Sequence, residues 1–244
     1  MELSGLSGNI RRSMGLRASL VAVLFAVAGG VLGQPRFEIE GNRFSFGMVP
    51  QNSTVANYFW FKSTGLDTVH IGQIKTGCDC AHMPLPRDWI APGDSMLVGF
   101  FWETEHKIGS AGRYPYIYWS EHEDPARLFL TADISLAPDS SRPLSIKPFK
   151  AELSKLGNKS IDSVAITYTN HEELPLVLKV VSVMTDEYTF VCPDTIPPNG
   201  TAKGYVKLNP AYADKEFVGS VTCEYAASAI ENKRFTIPIR RKMY

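Results

Sequence analysis

The chain has 244 residues, 44% of them hydrophobic and 20% charged, enough for one or two domains with a real core. Lys plus Arg and Asp plus Glu number 25 each, so the net charge is zero. That balance lacks the basic excess of a nucleic-acid binder, and no nucleic-acid partner is expected. Pro (16) and Gly (19) are somewhat enriched, as suits many short strands and turns.

The N-terminus reads as a targeting segment. Arg11, Arg12 and Arg17 precede the apolar run Leu20 to Ala28, and Gly29, Gly30 and Gly33 supply small residues before Gln34. This is the pattern of a cleavable secretory signal over residues 1–33. The apolar run falls short of the roughly 20 residues that span a bilayer. The expected product is a secreted or periplasmic chain that is not an integral membrane protein once the signal is removed. Cleavage leaves 22 basic and 24 acidic residues. Export places Cys78, Cys80, Cys192 and Cys223 in an oxidising compartment. Four cysteines allow three pairings, and spacing does not choose among them.

From Phe37 the chain alternates apolar and polar residues, the mark of half-buried strands. Phe37 to Phe46 leads to a turn at Gly47–Asn52. Val55 to Lys62 is a strand with apolar residues on both faces, hence central. Val69 to Ile74 ends at the cysteine pair. A Pro-rich loop leads to the strand Ser95–Glu103. Gly109 and Gly112 predict a turn before a strand carrying Tyr114, Tyr116 and Tyr118. Leu128 to Ile134 alternates again. No window holds a helical period. Short strands with frequent turn signals predict an all-β fold of sandwich type.

Pro138 to Pro143 is polar and Pro-bounded, and predicts a linker at 138–143. The pattern then runs again. Phe59 falls on Ile166, Val69 on Leu176, Ile90-Ala91-Pro92-Gly93 on Ile196-Pro197-Pro198-Asn199, and Gly112 on Gly219, always 106 or 107 residues apart. Two tandem immunoglobulin-like β-sandwiches, at 34–137 and 144–244, account for the chain after the signal.

Phe44-Ser45-Phe46-Gly47, Phe61-Lys62-Ser63-Thr64-Gly65, Cys78-Asp79-Cys80, Ala91-Pro92-Gly93-Asp94 and Asp124-Pro125 carry a resemblance. Over residues 44–136 the sequence resembles the secreted bacterial family named domain of unknown function 1573. That family is related to Hydin-type (ASH) and major-sperm-protein-type immunoglobulin-like domains. Ser63 stands where the family has Asn, and Asp79 where it has Gly. The second repeat keeps the outline without Phe-x-Phe-Gly or the cysteine pair. The resemblance implies the sandwich fold and no established activity.

Cys78-Asp79-Cys80 is the sharpest chemical feature, and three readings of it stand open. In an extended segment Cys78, Cys80 and His82 point the same way and offer soft ligands for copper or zinc, short of a fourth donor. A disulfide between Cys78 and Cys80 needs the segment to turn, because extended i,i+2 Cα atoms lie about 7 Å apart. Such a bond would serve as a redox site. The third reading is a structural turn without cofactor. Cys192 and Cys223 are candidates for a bridge within the second sandwich, with two separate buried thiols as the alternative. No nucleophile elbow, zinc-protease helix or phosphate loop occurs, so no catalytic residue is assigned. Tyr58, Trp60, Tyr116 and Tyr118 exceed what one small core needs and form a candidate binding patch. The leading expectation is a non-enzymatic interaction or assembly module for a protein or cell-envelope component. Its rival is an extracytoplasmic metal-binding or thiol-redox protein built on Cys78, Cys80 and His82. The sequence sets no oligomeric state.

Overall fold

Alternating apolar residues make strands throughout the computed structural model, which describes residues 35–120, 122–227 and 230–244. The signal pattern at 1–33 lies outside them. The first half runs Phe37–Ile39 (β1), Arg43–Pro50 (β2), Thr54–Ser63 (β3), Val69–Lys75 (β4), Ala81–His82 (β5), Trp89–Ile90 (β6), Ser95–Glu103 (β7), Gly109–Arg113 (β8), Tyr116–Trp119 (β9), Ala126–Arg127 (β10) and Phe129–Ser135 (β11). The second runs Leu144–Lys147 (β12), Ala151–Glu152 (β13), Lys155–Leu156 (β14), Lys159–Ser160 (β15), Ser163–Asn170 (β16), Leu176–Val180 (β17), Tyr188–Val191 (β18), Thr195–Ile196 (β19), Thr201–Leu208 (β20), Phe217–Ala227 (β21) and Ile230–Arg241 (β22). Two short 3-10 turns, Pro138–Ser140 and Pro210–Tyr212, are the only helical elements among the described residues. The fold is all-β and built from immunoglobulin-like sandwiches.

In the first half, the sheet β1-β3-β7-β5 faces the sheet β10-β9-β4-β6. Phe59 and Phe61 of β3, Phe100 and Trp102 of β7, Ile71 of β4 and Ile117 of β9 meet between them in one buried cluster. In the second, β12-β16-β20-β18 covers a sheet that includes β17, β21 and β22, around Ile166, Tyr168, Val221, Phe235 and Ile237. The paired strands β3 and β7 run in register from Thr54 opposite Glu103 to Lys62 opposite Ser95. The equivalent pair β16 and β20 runs from Ser163 opposite Lys207 to Thr169 opposite Thr201.

Two predicted turns change: Gly47 to Pro50 continue β2 through a bulge, and residues 109–113 form a strand. Gly109 and Gly112 do not bracket a turn; they lie in β8, which pairs with β11. Pro115 then interrupts the chain before β9 pairs with β4. Proline removes a ladder donor, so a single predicted strand becomes two.

The same Pro corner sits in both halves. The Asp94 N–H donates to Ala91 O at 3.0 Å, and the Gly200 N–H to Pro197 O at 3.2 Å. Gly93 (φ +74°) and Asn199 (φ +48°) take the left-handed position of each turn. These are the residue types that tolerate it. Each corner is tied to the end of a central strand, by Gly93 N–H to Ser63 O at 3.0 Å and by Asn170 N–H to Gly200 O at 2.9 Å.

Between the halves a sheet runs continuously in the order β19-β17-β21-β22-β2-β11-β8, with β13 also on β22. Strand β22 is long enough to serve both sides. Met48 of β2 lies opposite Phe235, and Ala151 of β13 opposite Ile239, both in parallel pairings. Gly47 makes this possible. Its φ is +62°, and a Cβ there would stand 2.0 Å from the Arg234 carbonyl oxygen. Here the register of β2 slips by one residue against β11, a bulge that brings the backbones together. Polar groups seal the junction. The Ser220 hydroxyl accepts from Ala56 N–H at 2.9 Å and donates to Ala56 O at 2.7 Å. The Thr236 hydroxyl donates to Phe46 O at 2.6 Å. The connection predicted as a linker is packed: Pro138 is buried, and the Ser141 hydroxyl sits between the Pro138 and Leu144 carbonyl oxygens, 2.8 and 2.6 Å away, either of which can accept its proton. Pro35–Tyr244 is therefore a single compact unit.

Candidate functional site

The segment after β4 turns sharply. Gly77 adopts φ +86°, and the Ala81 N–H reaches back to Cys78 O at 3.4 Å. The turn brings the Cα atoms of Cys78 and Cys80 to 5.2 Å, within bridging range, and the two form a disulfide. Cys80 is buried against the first core, Cys78 is half-buried and Asp79 is exposed. The Arg113 guanidinium of β8 donates to Cys80 Sγ at 3.0 Å and lies 4.8 Å over the Trp102 ring. Burial lowers the pKa of this arginine. Nothing in the local sequence links Arg113 to the cysteines; the pairing of β8 with β11 places it there.

His82 does not join them. It sits on β5 opposite Phe101, on the outer face of its sheet, and its ring stacks on Phe101 at 5.1 Å. The expectation that Cys78, Cys80 and His82 share a face assumed an extended strand, and residues 76–80 are a turn. The bridged sulfurs are not thiolate donors for copper or zinc, so the proposed metal set is not assembled here. Among the described residues no group of three or more His, Cys, Asp or Glu side chains is placed to hold a metal.

The second cysteine pair also differs from expectation. Cys192 and Cys223 are free thiols, not a bridge, with sulfurs 4.0 Å apart. Cys192 leaves β18 at one sheet, and Cys223 lies in β21 of the other. The pair is brought into contact across the core, short of bonding distance.

The four aromatics of the predicted patch separate onto two faces. Phe59 and Phe61 turn into the core, so Tyr58 and Trp60 point out of the β3 sheet. Tyr58 is covered toward the second half: burial, then the Glu187 carboxylate, pushes its phenol up to about 12. Trp60 stays 41% exposed. Ile117 turns inward, so Tyr116 and Tyr118 point out of the opposite sheet. There Tyr116 lies under the Arg127 guanidinium at 4.2 Å, and Tyr118 under Lys75 at 4.8 Å. Strands on opposite layers cannot pool their outward side chains, which is why one patch does not form.

Tyr118 instead borders a groove of about 720 Å³ over β4 and β9. Its floor is Gly72, where β4 slips register against β9 between Ile71 and Gln73. A glycine inside a strand is the sequence signal for such a bulge, and it was legible. Ser120 folds the chain back with φ +40°, its N–H donating to His70 O at 2.7 Å and its hydroxyl accepting from His70 N–H at 2.9 Å. That turn lays the exposed His122 ring over Trp119, with centroids 4.2 Å apart. Asp67, His70 and Gln73 add exposed polar groups at the rim. An apolar, aromatic-walled concavity with a few polar groups is the usual form of a binding site. Of this set, Tyr118 alone belongs to the four-residue patch expected from the sequence.

No helix of the described residues is long and apolar enough to cross a membrane. Residues 37–134 match the family described as Protein of unknown function (DUF1573). No curated protein matches the sequence. Among solved structures, a protein of unknown function from Porphyromonas gingivalis W83 is similar at 9% identity and TM-score 0.33, covering 84% of this chain and 99% of that one. SSP-19, an MSP-domain protein like family member of Caenorhabditis elegans, is similar at 16% identity and TM-score 0.32 over 40% of this chain and 97% of its own. The ASH/PapD-like domain 7 of human CEP192 is similar at 11% identity and TM-score 0.33 over 41% and 86%.

Proposed function

We propose that this protein, whose residues 37–134 match the DUF1573 family, is a non-enzymatic interaction module acting outside the cytoplasm. Its contact surface is the groove over β4 and β9, and its partner is a protein or cell-envelope component. The observation that carries this reading is the open aromatic concavity of Tyr118, Trp119 and His122, set on paired strands and floored by Gly72. Rigid placement on strands suits recognition. The extracytoplasmic setting is supported by the signal pattern at 1–33.

Filling the groove tests the reading. A Cβ at Gly72 would meet only the Tyr118 carbonyl oxygen, at 3.8 Å, so Gly72→Leu is accommodated there. A photo-crosslinking residue at Gln73 should trap an envelope protein in intact source cells, and Gly72→Leu should abolish that product. The same probe at the exposed Val177 of the second half is the control. Equal products from Gln73 and Val177, or a product indifferent to Gly72→Leu, would overturn the assignment.

A further inference from the structure

We propose that Cys192 and Cys223 form a reversible dithiol–disulfide couple, oxidised by small-molecule or protein disulfides to a bridge between the two sheets of the second sandwich. The first support is geometric. The sulfurs are 4.0 Å apart, and a bond of about 2.05 Å asks for an approach of about 2 Å. Cys192 sits where the chain leaves β18 and crosses to β19, outside regular pairing, so its side chain is the one able to turn. Cys223 is held in β21 between Val180 of β17 and Phe235 of β22.

The second support is the division of roles. Cys192 is half-buried and reachable, whereas Cys223 is fully buried. The Cys223 thiol donates to the Cys192 sulfur, which lowers the Cys192 pKa, and the nearby Tyr168 hydroxyl lowers it further. The same bond, with burial, raises the Cys223 pKa. A reachable thiol of lowered pKa beside a buried partner is the arrangement of an attacking and a resolving cysteine.

The exchange balances without a metal. The Cys192 thiolate attacks one sulfur of an external disulfide, forms a mixed disulfide and expels a thiolate. Cys223 then loses its proton to that thiolate and attacks Cys192 Sγ, which expels a second thiolate; this takes back from solvent the proton that Cys192 gave up on ionising. The protein loses two electrons and two protons, and the external disulfide gains both. The Cys78–Cys80 bridge takes no part, lying in the first sandwich.

The test uses the full chain in a Cys78→Ser/Cys80→Ser background, so that only the second pair is counted. After reduction and desalting, two thiols per chain should titrate in denaturant. Oxidised glutathione should take them to none with no glutathione retained, peptide mapping should recover a Cys192–Cys223 link, and dithiothreitol should restore both thiols. Adding Cys223→Ala should trap glutathione on Cys192, and Cys192→Ala should leave Cys223 reacting at least about tenfold more slowly. Persistence of both thiols, a stable glutathione adduct with no link, or equal reactivity of the two single variants would overturn the proposal. The mapping on the parent chain needs no substitution in the second core, so it decides the matter even if a variant fails to fold.

Discussion

The two sandwiches share a frame and differ in what is hung on it. Both close a central strand onto a left-handed Pro corner, and both pair that strand in long register with its neighbour. The first ties its corner through Ser63, whose hydroxyl makes one bond, to Asp67 O at 3.3 Å. The second uses Asn170, whose amide donates to Leu174, Ile196 and Pro197 carbonyls at 2.8, 3.4 and 3.1 Å. The cysteine pairs differ in the same spirit. Cys78 and Cys80 close a tiny loop at a sandwich end, while Cys192 and Cys223 face each other across a core. The lesson is that the corner belongs to the fold and the cysteines to each copy separately. The closest backbone approach between the copies is at Gly47, present in the first alone.

Breaking the union should have the largest effect. Gly47→Val puts a side chain into the Arg234 backbone at a positive φ, and we expect a loss of about 3–5 kcal/mol. Urea unfolding measures this, and hydrogen exchange should show loss of protection in both β2 and the first part of β22. Protection lost in β2 alone would mean that the halves are independent.

The cysteine comparison comes next. Chain-entropy arguments give about 3–4 kcal/mol for a bridge closing the loop from Cys192 to Cys223, against about 1–2 kcal/mol for the three-residue loop of Cys78 and Cys80. Oxidising the second pair should therefore raise Tm more than Cys78→Ser/Cys80→Ser lowers it. The reverse order in calorimetry would break the comparison.

The corners give a middle-sized contrast. Asn170→Ala leaves buried carbonyls without a donor, at about 2–3 kcal/mol, while Ser63→Ala removes one bond, at about 1 kcal/mol. Equal losses in denaturant titrations would show that the two corners are not built differently.

Asp94 should matter least. The Ser95 N–H, then Arg87, hold its carboxyl below the ordinary value of 3.8, and the side chain is exposed. A carboxyl depressed in the folded state contributes stability above its unfolded pKa and loses it as pH falls through the folded pKa. Asp94→Asn should thus change Tm slightly at neutral pH and not at all well below pH 3.8. The second corner has Gly200 at the equivalent place and should show no such acid dependence.

Much of the frame was legible because it is local. Alternation located β3, β4, β7 and β11 to within a residue or two, and the double-sided apolar character of β3 announced that its outer face would be covered. Gly72, a glycine within a strand, carried a bulge signal that the strand assignment of Val69 to Ile74 passed over. The split of the fifth strand was missed because Tyr114-Pro115-Tyr116 keeps its alternation while Pro115 breaks the ladder. The metal set and the single aromatic patch are not assembled because both expectations assumed that side chains of like direction share a surface.

By itself the sequence determined the strand class, the repeat, the Pro corners and the place of each cysteine, since these follow from backbone preference and side-chain period over a few residues. Tertiary structure alone decided which cysteines meet, that Arg113 lies on Cys80, that Tyr58 is covered while Tyr118 borders a groove, and that one sheet crosses both halves. Those depend on which strands become neighbours, and strand neighbours are fixed by long-range packing around a shared core, not by any stretch of chain read alone.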